Sequence, residues 1–220
     1  MNSASATSAA DPPPPAFVPN PDAVLMPGTP FTSAELQSMA NDGVLQALYG
    51  MSYVSAALPK AARLRARSAS LQVPERVRQK VVAGRMTAAW IHGCADVPER
   101  LTLLVDANRR LSSLRPHIRC NLHEVHLGQM DVQSLGGLMV TSPLRTAVDL
   151  AMHVRAEDSL PALRLFLDNP EFGLSQRLLV SAVSATPRVP NKLKALQALW
   201  YLENETEPFT AKKLHHCQSV

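Results

Sequence analysis

Arg145 and Asp149 stand four residues apart in the stretch VTSPLRTAVDLA, residues 140 to 151, on what reads as a short helix directly after a strand. At that spacing a guanidinium and a carboxylate share one helix face and can meet. Two chemistries follow: an internal ion pair that clamps the helix to its neighbours, or an interaction site held near the strand end. The order of the charges is the unfavourable one, because an acid N-terminal to a base complements the helix dipole and here the base comes first. Tertiary partners, rather than helix electrostatics, must decide where these two side chains go. No nucleophile or further base adjoins them in sequence, so a catalytic reading has no support.

A second stretch with chemical content is GRMTAAWIHG, residues 84 to 93, in which Gly84 precedes a helix after a short strand. It lacks the further glycines, or the Gly-Lys-Ser/Thr ending, with which backbone amides wrap a phosphate. The small residues around Thr87 suit close helix packing, with Met86, Ala89 and Trp90 turned inward. His92, next to Gly93 at the helix end, is placed to cap carbonyls with its ring.

Cys120, His123 and His126 have a spacing that suggests zinc, but side chains alternate along a strand, so Cys120 and His126 share one face and His123 takes the other. With no second ligand pair at metal spacing, neither a metal nor any other cofactor is expected. Lys60, Arg63 and Arg67 fall on one face of a helix, with Arg65, Arg76, Arg78 and Lys80 nearby. This stripe is the best electrostatic candidate for duplex phosphate or an acidic protein surface, the alternative being a solvated helix face. It has no interleaved aromatics for stacking on single strands.

The elements that must position these residues follow from pattern. Eight of the eighteen prolines fall in the first thirty residues, and residues 1–28 read as a disordered leader. Thr32 and Glu35 make a capping-box pattern, Asn41-Asp42-Gly43 ends that helix, and Val44 to Val54 reads as a hairpin turning near Gly50. Residues 59–72 read as a helix with Ala61, Leu64, Ser68 and Leu71 inward. Strands are expected at 101–107 and 118–125, a hairpin about Gly136-Gly137, and a helix from Pro143 capped by Ser142 with an apolar stripe of Leu144, Ala147, Val148 and Ala151. Three helical segments follow, over roughly 157–168, 174–185 and 190–202, before a polar tail at 203–220.

Charge is uneven along this order. Residues 1 to 59 hold four acids and no Lys or Arg, residues 60 to 119 hold thirteen bases against four acids, and residues 120 to 220 hold nine against ten. The basic character belongs to the middle. The three cysteines are scattered, which fits reduced thiols, and neither a signal peptide nor an apolar run of membrane-spanning length is visible, so a cytoplasmic protein without membrane contact is expected.

From about Phe31 to Leu202 the pieces resemble the AbiEi family of antitoxins from type IV toxin–antitoxin systems, in the form carried by many actinobacterial proteins. The resemblance rests on FTSAELQSMANDGVLQALYGMSYV, similar to a partial winged helix, on GRMTAAWIHG, and on VTSPLRTAVDLA. It implies a mixed α/β (α+β) fold, with a partial winged-helix segment at 29–58 and an antitoxin domain at 59–202. It also implies a non-enzymatic transcriptional regulator that binds its own operator as double-stranded DNA and counteracts a nucleotidyltransferase-like toxin. Thr32, Ser33 and Gln37 are then candidate DNA contacts in the front helix, and Lys60, Arg63 and Arg67 in the basic stripe. Gly84, Thr87, Trp90, His92, Arg145 and Asp149 are candidate framework or partner residues. Relatives commonly carry Arg or Lys in the wing, and here it reads VLQALYGMSYV. Some longer relatives continue into an endonuclease domain; Glu203, Glu205, Glu207, Lys212 and Lys213 do not reproduce its strand-borne arrangement. The second reading is therefore a protein-interaction or remnant domain that no longer binds DNA.

Overall fold

The capping box read in the sequence is closed in the computed structural model, which describes residues 23–28, 30–108, 120–187 and 190–204. The Thr32 hydroxyl accepts the Glu35 N–H at 3.3 Å, and the Glu35 carboxylate accepts the Thr32 N–H at 2.7 Å. Two otherwise orphaned donors are thereby satisfied. The helix α1 (Ser33–Asn41) buries Leu36 and stops at Asp42 and Gly43, the glycine taking a left-handed φ of +75°. An antiparallel hairpin follows, β1 (Leu45–Ala47) and β2 (Tyr53–Ser55), turning through Gly50.

This front hairpin is built into the body. Leu48 and Val54 form a small core with Leu64 of α2 (Ala62–Leu71), and the Ser52 and Ser68 hydroxyls are hydrogen-bonded in a buried position. Tyr49 stacks obliquely on Trp90, centroids 5.6 Å apart. The reading of residues 1–28 as a disordered leader lies for the most part outside the described residues, but Leu25 pairs antiparallel with Tyr53 and adds an edge bridge to the hairpin. The tail at 203–220 lies almost wholly outside them.

After α2 come a one-turn helix α3 (Glu75–Arg78), which the sequence reading did not contain, then β3 (Val82–Ala83) and α4 (Arg85–His92). The strands β4 (Leu101–Asp106), β5 (Cys120–Val125), β6 (Val132–Leu135) and β7 (Leu138–Thr141) complete a five-stranded sheet in the order β5-β4-β3-β7-β6. Pairs β3–β7 and β4–β5 are parallel, and the other two are antiparallel. The start of the strand expected at 118–125 lies outside the described residues. Gly136 and Gly137 form the β6–β7 turn with φ of +53° and +81°, the pair of left-handed positions that a two-residue hairpin requires.

Four helices follow: α5 (Pro143–His153), α6 (Ala156–Asp168), α7 (Gln176–Ala185) and α8 (Lys192–Asn204). The fold is thus the mixed α/β class expected, with a helix and hairpin in front and a helical C-terminal part. One core lies between α2 and a sheet face, where Ala66 and Ala69 meet Leu101, Leu103 and Val140. A second lies among helices α4 to α8 and contains Leu150, Leu163, Phe166, Leu179 and Leu199, all buried. Each such side chain contributes roughly 1.5–3 kcal/mol. No helix among the described residues is long and apolar enough to cross a membrane.

Two face assignments need correction. Ala61 is exposed, because it is the residue flanking α2 rather than part of its inward stripe. In α5, Thr146, Ala147, Asp149, Leu150 and Met152 are buried, while Leu144, Val148 and Ala151 are only half-buried. The buried arc is shifted because α5 packs against α4 on one side and the other C-terminal helices on the other.

Candidate functional site

Pro143 at the first turn and the Ser142 hydroxyl, which accepts the Arg145 N–H, start α5 directly after β7. The first turn then aims Arg145 back across the sheet end. Its Nε donates to Asp149 Oδ1 at 3.0 Å, and its Nη1 donates to Asp131 Oδ2 at 2.8 Å and to the His126 carbonyl at 3.0 Å. The unfavourable charge order is thereby explained: Arg145 precedes Asp149 because it joins α5 to the segment that leads into β6. Side-chain exposure is 18% for Arg145 and 4% for Asp149. Burial raises the Asp149 carboxyl above its ordinary value, while Arg145, His153 and Arg85 pull it back down. Its Oδ2 is buried with no hydrogen-bond partner among the described residues.

Gly84 opens α4 in an extended conformation, so its role is space: a Cβ there would lie 2.4 Å from Leu104 Cδ1, a fully buried neighbour. Thr87 accepts the Thr102 N–H through its hydroxyl at 2.7 Å, and the Gly84 N–H takes the Thr102 carbonyl at 3.1 Å, so α4 finishes the hydrogen bonding of β4. Trp90 is buried in the sheet core and carries Tyr49 of the front hairpin. His92 does not cap its own helix as expected. Its Nε2–H donates to the Thr141 carbonyl of β7 at 2.8 Å, and Phe166 and Phe172 stand edge-on to the ring at 5.8 Å each. Burial lowers its pKa, against the Thr141 hydrogen bond. The α4 C-terminus is capped instead by Arg65, whose Nη1 donates to the Ile91 carbonyl at 3.2 Å, beside Gly93 in a left-handed conformation.

Arg65 is therefore not available beside the basic stripe, and neither is Arg78, which donates to the Val73 carbonyl. Arg63 and Arg67 are exposed on one side of α2, Lys60 is exposed but precedes the helix rather than lying on its face, and Arg76 and Lys80 are exposed beyond it. Arg63 and Arg67 line a cleft of about 700 Å³ together with Pro59 and the Gly136–Gly137 turn, and among the described residues no acid lines it. The glycine turn rests directly on the α2 backbone, since a Cβ at Gly136 would be 2.4 Å from the Arg63 carbonyl oxygen and 2.5 Å from the Arg67 nitrogen.

In α1, Ser33 and Gln37 are exposed, whereas the Thr32 hydroxyl is engaged with Glu35 in the capping box. The structure does not bring α1 and the Arg145–Asp149 pair together. Cys120 and His123 project to opposite faces of β5, Cys120 against the sheet core. Among the described residues no three His, Cys, Asp or Glu side chains stand where they could hold a metal ion. Burial pushes the Cys94 thiol up to about 11, so it stays protonated.

Sequence reasoning missed Arg85, His123 and Asp131 as parts of one cluster. Arg85 Nη1 donates to His123 Nε2 at 3.0 Å, across β4, and Arg85 adopts a left-handed φ of +51°. The only sequence signal was an Arg at the strand-to-helix junction.

Compared with curated proteins, the sequence matches none. A family model, the AbiEi antitoxin C-terminal domain, matches residues 82–199, more than half of the chain. That span opens at β3 and closes inside α8, and it contains the α4 element, the Arg145–Asp149 clamp and the second core. On this match the chain belongs to the AbiEi antitoxin family, and its role is that of an antitoxin in a toxin–antitoxin system.

Proposed function

We propose that the protein is a cytoplasmic, non-enzymatic antitoxin that also regulates transcription, binding the duplex upstream of its own gene and counteracting a nucleotidyltransferase-like toxin. The observation that carries the DNA reading is the placement of Arg63 and Arg67. Both are exposed on α2, beside a cleft that no acid among the described residues lines, and the Gly136 turn rests on the helix backbone between them. Phosphate neutralisation supplies most non-specific duplex affinity, and positively charged side chains held in register are what it requires. Lys60 extends the row. The hairpin of the partial winged helix packs on Leu64 of the same α2, and in this reading Ser33 and Gln37 of α1 add weaker, uncharged contacts.

A reporter driven by the region upstream of the gene tests the regulation: wild type represses it, and Arg63→Ala with Arg67→Ala relieves repression while the melting temperature stays unchanged. Co-expression with a nucleotidyltransferase encoded beside the gene tests the antitoxin half, growth being restored only when this protein is present. One observation favours the second reading, a partner-binding domain without DNA contact. Residues 1 to 59 contain no Lys or Arg, and α1 has no base in its last turn. Repression that is absent for wild type, together with restored growth, would select that reading.

A further inference from the structure

We propose that Arg85 and His123 form a binding site for a phosphate-bearing small molecule, on the sheet face opposite α2. His123 pairs with Leu104 in the β4–β5 register, and Leu103 and Val105 are the β4 residues that face the α2 core, so His123 and Leu104 lie on the other face. The Arg85 side chain reaches His123 there. This places the site away from the basic face of α2, and the proposal does not rest on DNA binding.

Three features of Arg85 lack an internal reason. Its backbone is left-handed, a conformation that costs a residue with a side chain of order 1–3 kcal/mol. Its guanidinium is half-buried, yet no carboxylate among the described residues lies within ion-pair distance of it, and its Nε is buried without a partner. Among the described residues its side-chain hydrogen bond runs to a ring nitrogen, which must be unprotonated to accept it. Arg65 and Arg78, the half-buried arginines on α2 and α3, each donate to a backbone carbonyl, and Arg145 holds two carboxylates. Asp149, the carboxylate whose charge Arg85 feels, is ion-paired with Arg145 instead, so a half-buried guanidinium is left without a direct counter-ion, which an anionic ligand supplies.

The surroundings specify the class of anion. α4 begins at Arg85 with no side-chain cap, because Gly84 has none to offer, so the first N–H groups of the helix add to the positive end. Arg85 presents a planar fork of donors suited to a phosphate's oxygens. Asp149, whose Oδ2 is buried and unpartnered, feels Arg85, Arg145 and His153 electrostatically and belongs to the same cluster.

The test is thermal melting of the full chain against inorganic phosphate, ribose 5-phosphate and nucleoside triphosphate, each at matched ionic strength with chloride as control. Arg85→Gly is the variant, because glycine accepts the left-handed backbone and the fold is retained. Wild type is expected to gain melting temperature saturably with at least one phosphate compound, and Arg85→Gly to need at least about tenfold more of it for the same gain. The compound acting at the lowest concentration names the source of the phosphate. No gain over chloride in wild type, or an equal gain in the variant, overturns the site. Loss of duplex binding in Arg85→Gly would overturn its assignment to a small ligand and transfer Arg85 to the DNA face.

Discussion

Arg145 and Asp149 are joined through Nε and Oδ1 at 3.0 Å, and the same guanidinium reaches Asp131 at 2.8 Å, so one side chain ties helix α5 to the start of β6. The carboxylate is almost fully buried, and among the described residues its side-chain hydrogen bond is to Arg145. Removing it leaves Arg145 with Asp131 and the His126 carbonyl, and opens a polar cavity. Asp149→Ala is expected to lower unfolding stability by about 3 kcal/mol, measured by urea denaturation. Asp149→Asn keeps the Oδ1 acceptor for Arg145 and leaves no cavity, so it should lose distinctly less. An unchanged midpoint for Asp149→Ala would sink the clamp.

Gly136 and Gly173 separate two costs that a glycine can hide. Both have left-handed backbones, but a Cβ at Gly173 meets nothing within 4 Å, while one at Gly136 meets the α2 backbone. Gly173→Ala is therefore expected to cost about 1 kcal/mol and Gly136→Ala about 3 or more, because backbone cannot step aside as a flexible side chain can. Equal midpoints in denaturant for the two variants would show that the hairpin tip is not seated on α2.

At Gly84 the backbone is extended, and the difficulty is Leu104. Gly84→Ala is expected to destabilise by about 1–3 kcal/mol through overpacking, and the double variant Gly84→Ala with Leu104→Ala should recover part of that loss relative to Leu104→Ala alone. Additive losses in the double-mutant cycle would contradict the contact.

The histidines set an acid limit. Burial lowers the pKa of His92 and of His123 below the ordinary 6.5, so between 6.5 and their folded values the unfolded chain binds more protons. Stability should therefore fall as pH drops below about 6.5. Asp149 acts in the opposite sense, because its raised pKa makes the folded state the better proton acceptor above 3.8. Comparing wild type with His92→Gln isolates one histidine: the variant should show a shallower loss of melting temperature between pH 7 and pH 5. Parallel pH curves would mean that His92 does not contribute.

Local chemistry made much of this fold legible. Thr32 with Glu35, Ser142 with Pro143, and Gly136-Gly137 each satisfy backbone groups within a few residues, so pattern alone located the starts of α1 and α5 and the β6–β7 turn. The Arg145–Asp149 pair was legible for the same reason, while its third member was not: Asp131 lies fourteen residues away and meets Arg145 only because β6 and β7 form a hairpin. Long-range geometry also took Arg65 out of the neighbourhood of the basic stripe, because its carbonyl partner at Ile91 is delivered by the tertiary fold, whereas Arg78 turns to the Val73 carbonyl only five residues back. Arg85 was invisible for that reason too, its partner His123 being two strands away across β4.

Fluorescence anisotropy of the purified protein with the duplex upstream of its gene, against a scrambled duplex and over a range of salt, tests the central claim most directly. The account predicts preference for the upstream duplex, a log–log salt slope of about −0.9 per phosphate contacted, and a slope shallower by about two such units in the Arg63→Ala, Arg67→Ala variant. Weak and equal binding to both duplexes, or a slope that the double variant leaves unchanged, would contradict it.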